Sequence, residues 1–416
     1  MRRVGMVLAL VAAILLAGCS WLSFNGDETA ERMIVIFEDG NFAAGLRTVL
    51  EAGINIYAEL GLIDGVACYL TPTQQRWAEK LFPVRLIEPD FDVSIVNVPR
   101  ALEVGISVEP SEEVVDWGVE RINAPAVWAR GVTGRGVRVG VIDTGINSNH
   151  PDLLYKDDQG VTRKVVVGGF NAISPGASYE DDNNHGTYIG TIIAARQNGV
   201  GIVGVAPEAT LYSIKVLSAS GSGSSSSVVL GYMWALENDL KVVNLSLGSF
   251  YHSYAMKEAM IRAAWQGLGT IAASGNDGQE GIIYPARDPV AVCVGATGMD
   301  NQKMSWSNWG PALKANGVVA PGDWILAGNK DGGWQRIAGT SAATPHVTGL
   351  VALLEDTVQK GWCERRFIFG GASGALDPTE FVGYGLIDCA KTYQIMVDEA
   401  ETNAIVIEGT WRRGDL

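Results

Sequence analysis

The sequence predicts an α/β protein whose main domain is a doubly wound, three-layer parallel sheet, and three observations support this fold class. After Gly118, short apolar runs alternate with helix-like segments over most of the chain, as expected where helices cover both faces of a sheet. The runs are continuously apolar and often β-branched, which is typical of strands buried on both faces. The composition, with 51 glycines, 47% hydrophobic and 19% charged residues, fits a globular protein.

The elements of this domain are predicted from those alternating segments. Strands are expected at Val137–Ile142, Val165–Val167, Leu211–Val216, Val242–Leu247, Thr270–Ala273 and Val290–Val294. Helices are expected at Thr187–Arg196, Ser225–Glu237, Tyr254–Gln266 and Ala343–Thr357. The domain should occupy residues 118–390, with right-handed crossovers, and an acidic tail of no assigned role should follow at 391–416.

A smaller unit is predicted at residues 32–93. Its segments alternate as strand, helix, strand, strand, helix, strand, at Met33–Phe37, Phe42–Glu51, Ile54–Leu60, Gly65–Leu70, Thr73–Phe82 and Val84–Glu88. This is the order of a ferredoxin-like α+β fold, which by itself assigns no role. Residues 94–117 show no firm periodicity and are interpreted as a linker.

The amino terminus has the pattern of a secretory signal. A basic head, Met1-Arg2-Arg3, precedes an apolar core from Val4 to Leu16 that is too short to span a membrane. The closing Leu16-Ala17-Gly18-Cys19 resembles the bacterial lipoprotein lipobox. That resemblance implies removal of residues 1–18, a lipid on Cys19, a tether over 19–31, and a location in the bacterial cell envelope facing outside the cytoplasm. The alternative is an ordinary signal peptide cut nearby.

The cysteines and the charge limit the other function classes. Cys363 and Cys389 flank one loop and could pair in an oxidising compartment, whereas Cys68 and Cys293 lie in apolar runs typical of buried thiols. Without a paired CxxC or a His/Cys cluster, a zinc site is not expected. The net charge of −15 argues against a nucleic-acid partner.

A serine at the start of the last long helix is the first chemical candidate. Gly339 allows a tight turn, and Thr340 or Ser341 can cap the helix, which has Pro345 in its first turns. The Ser341 hydroxyl would lie at a positive helix N-terminus beside free backbone N–H groups. A plain helix cap is the alternative interpretation.

Three further side chains supply the groups that an activated serine needs. Asp143 ends one predicted strand, Asn276 follows another, and His185 begins a helix, so two of them lie at the functional edge of the sheet. An imidazole can take the serine proton, a buried carboxylate can orient the imidazole, and an amide can bind the oxyanion. Each residue alone could be a turn former or a cap.

The motifs around these residues resemble the signatures of the subtilisin-like serine proteases (subtilases), over roughly Val119 to Ala390. They are Asp143-Thr144-Gly145, His185-Gly186-Thr187 and Gly339-Thr340-Ser341-Ala342-Ala343-Thr344-Pro345-His346, in the Asp, His, Ser order of subtilisin. The resemblance implies a serine endopeptidase that forms an acyl-enzyme on Ser341, with His185 as base, Asp143 orienting it and Asn276 in the oxyanion hole. It also implies that extended substrates bind along Ser246, Leu247, Gly248, Ala273, Ser274 and Gly275, over an S1 pocket shortened by Ile283.

The resemblance departs from the family behind His185, where Tyr188, Ile189, Gly190 and Thr191 replace the usual residues. The departure bears on packing and efficiency, and it is the one support for an alternative function: a catalytically silent, membrane-displayed peptide-binding protein.

The same resemblance implies partners for the protease. The unit at 32–93 is similar to the subtilase propeptide, which implies a folding chaperone and inhibitor that is removed by self-cleavage and could release the protease from its anchor. Many subtilases carry calcium, and the ligands implied here are Asp152, the Asn198 side chain and the carbonyls of Arg196, Val200 and Ile202. The alternative is that Asp152 caps a turn and the loop holds no ion. No organic cofactor is implied.

Overall fold

The computed structural model describes residues 29–81, 83–96, 107–108, 112–358, 365–374 and 377–403. The chain divides into two compact units, Met1–Asp90 and Phe91–Leu416. Among the described residues, no helix is both long enough and apolar enough to cross a membrane.

The first unit has a four-stranded antiparallel sheet and two helices. Its elements are β1 (Glu31–Phe37), α1 (Phe42–Glu51), β2 (Asn55–Leu60), β3 (Gly65–Leu70), α2 (Pro72–Ala78) and β4 (Val84–Pro89), in the sheet order β2-β3-β1-β4. Strand β1 is central because its Met33, Val35 and Phe37 side chains form the core with residues from the helices and neighbouring strands. Thr71 caps α2 through a reciprocal bond with Gln74, which fixes the helix start.

The second unit is built on seven parallel strands. The order in the sheet is β11 (Val166–Asn171), β13 (Thr210–Lys215), β8 (Arg138–Asp143), β15 (Val242–Leu245), β17 (Gly269–Ala273), β18 (Val292–Thr297) and β19 (Gly317–Pro321). The long helices of this unit are α5 (His185–Ala194), α6 (Ser225–Glu237), α7 (Tyr254–Trp265) and α9 (Thr340–Val358). Helices α5 and α9 pack on each other, as do α6 and α7, and both pairs contact the sheet. The predicted three-layer fold class is confirmed.

The remaining elements are short, except for the last helix, which has 15 residues. They are α3 (Trp117–Arg121), α4 (Ala124–Trp128), α8 (Pro311–Asn316), α10 (Arg365–Gly371), α11 (Cys389–Asn403), β9 (Leu154–Lys156), β10 (Thr162–Lys164), β12 (Ile202–Val203), β20 (Ile325–Gly328) and β21 (Trp334–Ile337). Helix α11 extends into the region predicted as a tail, because its Met396 side chain is buried in the main core. Cys389 is a free, buried thiol, so its suggested pairing with Cys363, which lies outside the described residues, has no support.

The segment interpreted as a linker contains paired strands. Strand β7 (Val114–Val115) pairs in parallel with β12, and β6 (Ser107–Val108) adds a third strand to β20 and β21. At the start of this segment, β5 (Asp92–Ile95) lies between β14 (Ser222–Ser224) and β16 (Leu247–Gly248) in a three-stranded antiparallel sheet. This small sheet adjoins the edge of the unit where the predicted chemical groups lie.

Candidate active site

The four predicted chemical residues all lie at element ends. Asp143 is the last residue of β8, His185 is the first of α5, and Asn276 follows the end of β17. Ser341 is the second residue of α9, just after Gly339, whose φ of +145° favours glycine. The carboxyl edge of the parallel sheet therefore carries the acid and the amide, and helix starts carry the base and the serine.

Asp143 and His185 form a buried hydrogen-bonded pair. His185 Nδ1 lies 2.8 Å from Asp143 Oδ1 and 3.0 Å from Oδ2, and the carboxylate is fully buried. The close approach of the two segments depends on Gly186, where a Cβ atom would lie 1.9 Å from the Gly145 carbonyl oxygen. The carboxylate thus fixes the ring orientation and directs Nε2 away from itself.

A residue that sequence reasoning missed, Asp181, holds this pair in place. Its carboxylate accepts bonds from the Thr187 backbone N–H at 3.0 Å and hydroxyl at 2.6 Å, and from the Thr144 hydroxyl at 2.9 Å. It thereby ties the first turn of α5 to the turn after β8, so Asp143 and His185 cannot move independently. An acidic residue just ahead of a helix start was the available sequence signal.

The electrostatics of His185 favour a charged imidazolium. Burial alone would lower the pKa of His185, but the Asp143 carboxylate, helped by Asp181, reverses this and raises the pKa above its ordinary value. His185 Nε2 has no hydrogen-bond partner among the described residues. The Ser341 hydroxyl donates to the Ser246 carbonyl oxygen at 3.2 Å. The serine and the ring are therefore both held in place without being bonded to each other.

Asn276 is oriented by the residue before the serine. Its Oδ1 accepts bonds from the Thr340 backbone N–H at 2.8 Å and from the Thr340 hydroxyl at 2.9 Å. The amide Nδ2 is therefore forced outward, where it donates to the Val96 carbonyl oxygen at 3.3 Å. An amide donor aimed at a backbone carbonyl is the geometry that binds a developing oxyanion.

The chain's own segment Asp92–Val96 occupies a cleft beside the serine. Ile95 N–H donates to the Gly221 carbonyl at 2.9 Å, and Val96 N–H approaches the Ser246 carbonyl at 3.4 Å. The side chain of Val96 packs with Ala273 and Ile283 in a small apolar cluster. An extended segment is thus bound as an added strand, with its last side chain in this apolar cluster.

The predicted substrate-contacting residues line this cleft. Leu247 and Gly248 pair with β5, and Ser246 supplies a carbonyl acceptor. The Ser274 carbonyl accepts from Ile283 N–H at 3.1 Å, and Gly275 N–H donates to the Thr340 hydroxyl at 3.3 Å. Ser274 and Gly275 therefore shape the pocket wall, while the first three residues contact the bound strand.

Behind the histidine, the unusual residues pack without disturbing the pair. The Tyr188 hydroxyl donates to Gln335 at 2.7 Å, Ile189 and Gly190 are buried, and the Thr191 hydroxyl accepts from Gly328 N–H at 2.9 Å. They bind α5 to β20 and β21, which explains how His185 keeps its place.

The suggested calcium region has one unusual carboxylate. Asp152 is fully buried, and its Oδ2 accepts from Trp334 Nε1 at 2.6 Å, whereas its Oδ1 has no hydrogen-bond partner within the part of the chain that the structure describes. Burial raises the pKa of Asp152 to about 7. The Asn198 oxygen accepts from Val200 N–H at 3.1 Å. Within the described ranges, no group of three or more His, Cys, Asp or Glu side chains could hold a metal, so further ligands would have to be carbonyl or amide oxygens.

Comparison with known proteins agrees with this geometry. The profile of the Subtilase family matches residues 134–368. M-protease of Shouchella clausii (strain KSM-K16) is 36% identical over 370 residues, which is 88% of this chain and 89% of that protein. Subtilisin Savinase of Lederbergia lenta is 41% identical over 276 residues, or 66% of this chain and 97% of that protein. Alkaline elastase YaB of Bacillus sp. (strain YaB) is 32% identical over 403 residues, which is 93% of this chain and 98% of that protein. With a family match over more than half of its length and protease relatives aligned over most of theirs, the chain belongs to the subtilase family of serine proteases.

Proposed function

We propose that the protein hydrolyses internal peptide bonds through an acyl-enzyme on Ser341, with His185 as general base and acid, Asp143 orienting the ring and Asn276 binding the oxyanion. The observation that carries this proposal is the contact between Asn276 Nδ2 and the carbonyl of Val96 at 3.3 Å. That carbonyl belongs to a strand bound beside the serine, as a substrate's would.

The reaction follows from the groups present. The Ser341 hydroxyl rotates from the Ser246 carbonyl to His185 Nε2, which takes its proton as Oγ bonds to the substrate carbonyl carbon. The substrate's carbonyl oxygen becomes an oxyanion held by the Asn276 side chain, and Asp143 stabilises the imidazolium of His185. His185 then gives the proton to the leaving amine as the C–N bond breaks. A water molecule, deprotonated by the same ring, releases the acyl group and regenerates the serine.

The same geometry supports self-processing after Val96. With Val96 in the apolar pocket and its carbonyl at Asn276, the bond to Asn97 is the one presented for cleavage. Strand β5, which fills the cleft, would then act as the inhibitor until it is displaced. The mature chain would begin at Asn97.

The lipid anchor rests on sequence alone, because Cys19 lies outside the described residues. With the lipid on Cys19, cleavage after Val96 would separate the anchor from the catalytic unit and release the protease outside the cytoplasm. Comparing membrane and soluble fractions of wild type, Cys19→Ser and Ser341→Ala tests both steps. Equal anchoring and equal size in wild type and Ser341→Ala would contradict release.

A calcium ion is the cofactor that the region around Asp152 would accept. A buried carboxylate oxygen that has no hydrogen-bond partner among the described residues fits a hard cation that prefers oxygen ligands. Asp152 would bind directly, with the Asn198 oxygen and the carbonyls of Arg196, Val200 and Ile202 completing the set after a local adjustment at Asn198. The ion would neutralise the buried charge and stabilise the loop after α5.

The central test is removal of the nucleophile. Ser341→Ala should abolish casein hydrolysis and labelling by a fluorophosphonate, and it should leave the full-length chain uncut. Ser174→Ala, at an exposed loop position, is the matched control and should behave as wild type. N-terminal sequencing of the processed wild type should begin at Asn97. Undiminished hydrolysis by the Ser341→Ala protein would overturn the assignment.

A further inference from the structure

We infer that Tyr251 forms a subsite for an aromatic side chain six residues before the cleaved bond, and this inference rests on the proposed function. With cleavage after Val96, Phe91 is the sixth residue on the amino side. The rings of Phe91 and Tyr251 are stacked, with centroids 5.3 Å apart and planes inclined by 8°. Substrate recognition would therefore reach the sixth residue before the cleaved bond.

The backbone at Phe91 is held as firmly as the strand that follows it. The Phe91 carbonyl oxygen accepts from the Ser225 backbone N–H at 2.8 Å and from the Ser225 hydroxyl at 3.2 Å. Ser225 directly follows Ser224, which pairs with Asp92 in the β14–β5 register. The sixth residue thus continues the strand pairing, so a substrate's backbone would be delivered to the same place.

The loop that carries Tyr251 is anchored at its base. Ser249 and Tyr284 exchange two backbone hydrogen bonds of 2.8 Å each, and Tyr251 N–H donates to the Ser249 hydroxyl at 3.2 Å. The ring is nevertheless 65% exposed with Phe91 on it. A large aromatic ring held beside a cleft and still mostly open to solvent is a surface for a ligand, since it contributes little to the core.

The chemistry of this surface selects the side chain. A phenol ring stacked at 5.3 Å favours a flat aromatic partner over an aliphatic or charged one. Once β5 has left the cleft, Tyr251 contacts the sixth residue before the cleaved bond of the substrate that replaces it. Tyr251 is therefore a specificity-determining residue for peptides with Phe, Tyr or Trp at that position.

Two fluorogenic peptides test the subsite on the self-processed full-length protein. They are Phe-Asp-Val-Ser-Ile-Val and Ala-Asp-Val-Ser-Ile-Val, each followed by a coumarin amide. Wild type should prefer the Phe peptide by about 2- to 12-fold in kcat/KM, the range expected for one aromatic pair. Because both peptides are measured on one preparation, the ratio does not depend on the fraction of active enzyme.

Three variants assign the preference to one ring. Tyr251→Phe should keep the ratio, Tyr251→Ala should bring it to about one, and Phe250→Ala, which removes the neighbouring exposed ring, should keep it. A ratio of one in wild type, or a preference that survives Tyr251→Ala, overturns the subsite while leaving the protease assignment intact. Failure to cleave either peptide, together with no fluorophosphonate labelling, overturns the proposed function and the subsite with it.

Discussion

We expect the side chain of Ile283 to set the size of the S1 pocket, so shortening it should change which peptides are cut. Ile283 is 5% exposed and packs with Val96 and Ala273. A Cβ at Gly248 would lie 2.4 Å from its Cδ1, and one at Gly275 would lie 3.2 Å from its Cγ2. The isoleucine thus fills the gap between the two walls of the cleft and leaves room for a small side chain.

Ile283→Ala removes three carbons from that gap. At ~0.8 kcal/mol for each buried methylene, a longer P1 side chain gains up to about 2.4 kcal/mol of new burial. This equals roughly a 50-fold rise in kcat/KM for a P1 Phe peptide relative to a P1 Val peptide. A peptide with valine at P1 should bind less tightly, because the contact between valine and the Ile283 side chain is removed.

The assay compares Phe-Asp-Val-Ser-Ile-Val with Phe-Asp-Val-Ser-Ile-Phe, each as a coumarin amide, on both proteins. Ile282→Ala is the matched control, since Ile282 is the equally buried neighbour and lies outside the cluster around Val96. It should leave the peptide ratio near the wild-type value. If the ratio of kcat/KM for the P1 Phe peptide to that for the P1 Val peptide in Ile283→Ala stayed within about threefold of the wild-type ratio, Ile283 would not be the floor of the pocket.

Three other predictions concern the groups around the serine and the buried Asp152. Asn276→Ala should lower kcat by about 10²–10³ with little change in KM, a magnitude taken from subtilisin itself. A change in KM with kcat unaltered would contradict the oxyanion role. Since a raised pKa keeps His185 protonated to higher pH, kcat/KM should fall with decreasing pH through a midpoint above 6.5. Asp181→Asn should move that midpoint to lower pH, and a pH–rate profile of both proteins measures the difference. If Asp152 binds calcium, free calcium at 100 times its dissociation constant should add about 2.7 kcal/mol to the free energy of unfolding of wild type. A chelator should remove this stabilisation from wild type and should leave the melting temperature of Asp152→Ala unchanged.

The sequence was a good guide where a signal is local. Helix Ser225–Glu237 was predicted to the residue, because Ser224 caps it through a reciprocal bond with Ser227. The continuously apolar runs located six of the seven parallel strands, since burial on both faces leaves that pattern. Strand β19 (Gly317–Pro321) was missed, because only three apolar residues stand between its terminal glycine and proline, which is too short a run to indicate a strand.

Contacts across the chain were beyond prediction from local patterns. Strand β5 has only four residues, and its partners lie some 130 and 150 positions away in the sequence, so no periodicity marks it as a strand. For the same reason Asp181 was missed: its bonds to Thr144 and Thr187 depend on how α5 docks on β8. Motif order identified the chemical groups, but through-space pairing decides what holds them and what fills the cleft.

The placement of β5 in the cleft has a consequence for how the specificity of this protein can change. If the first peptide that each molecule cuts is its own, a variant whose pocket rejects valine fails to mature before it meets any other substrate. A change at Ile283 that excludes valine would therefore have to be accompanied by a change at Val96. Under the proposed self-processing, directed evolution of this protease would have to vary the cleft and the segment that occupies it together.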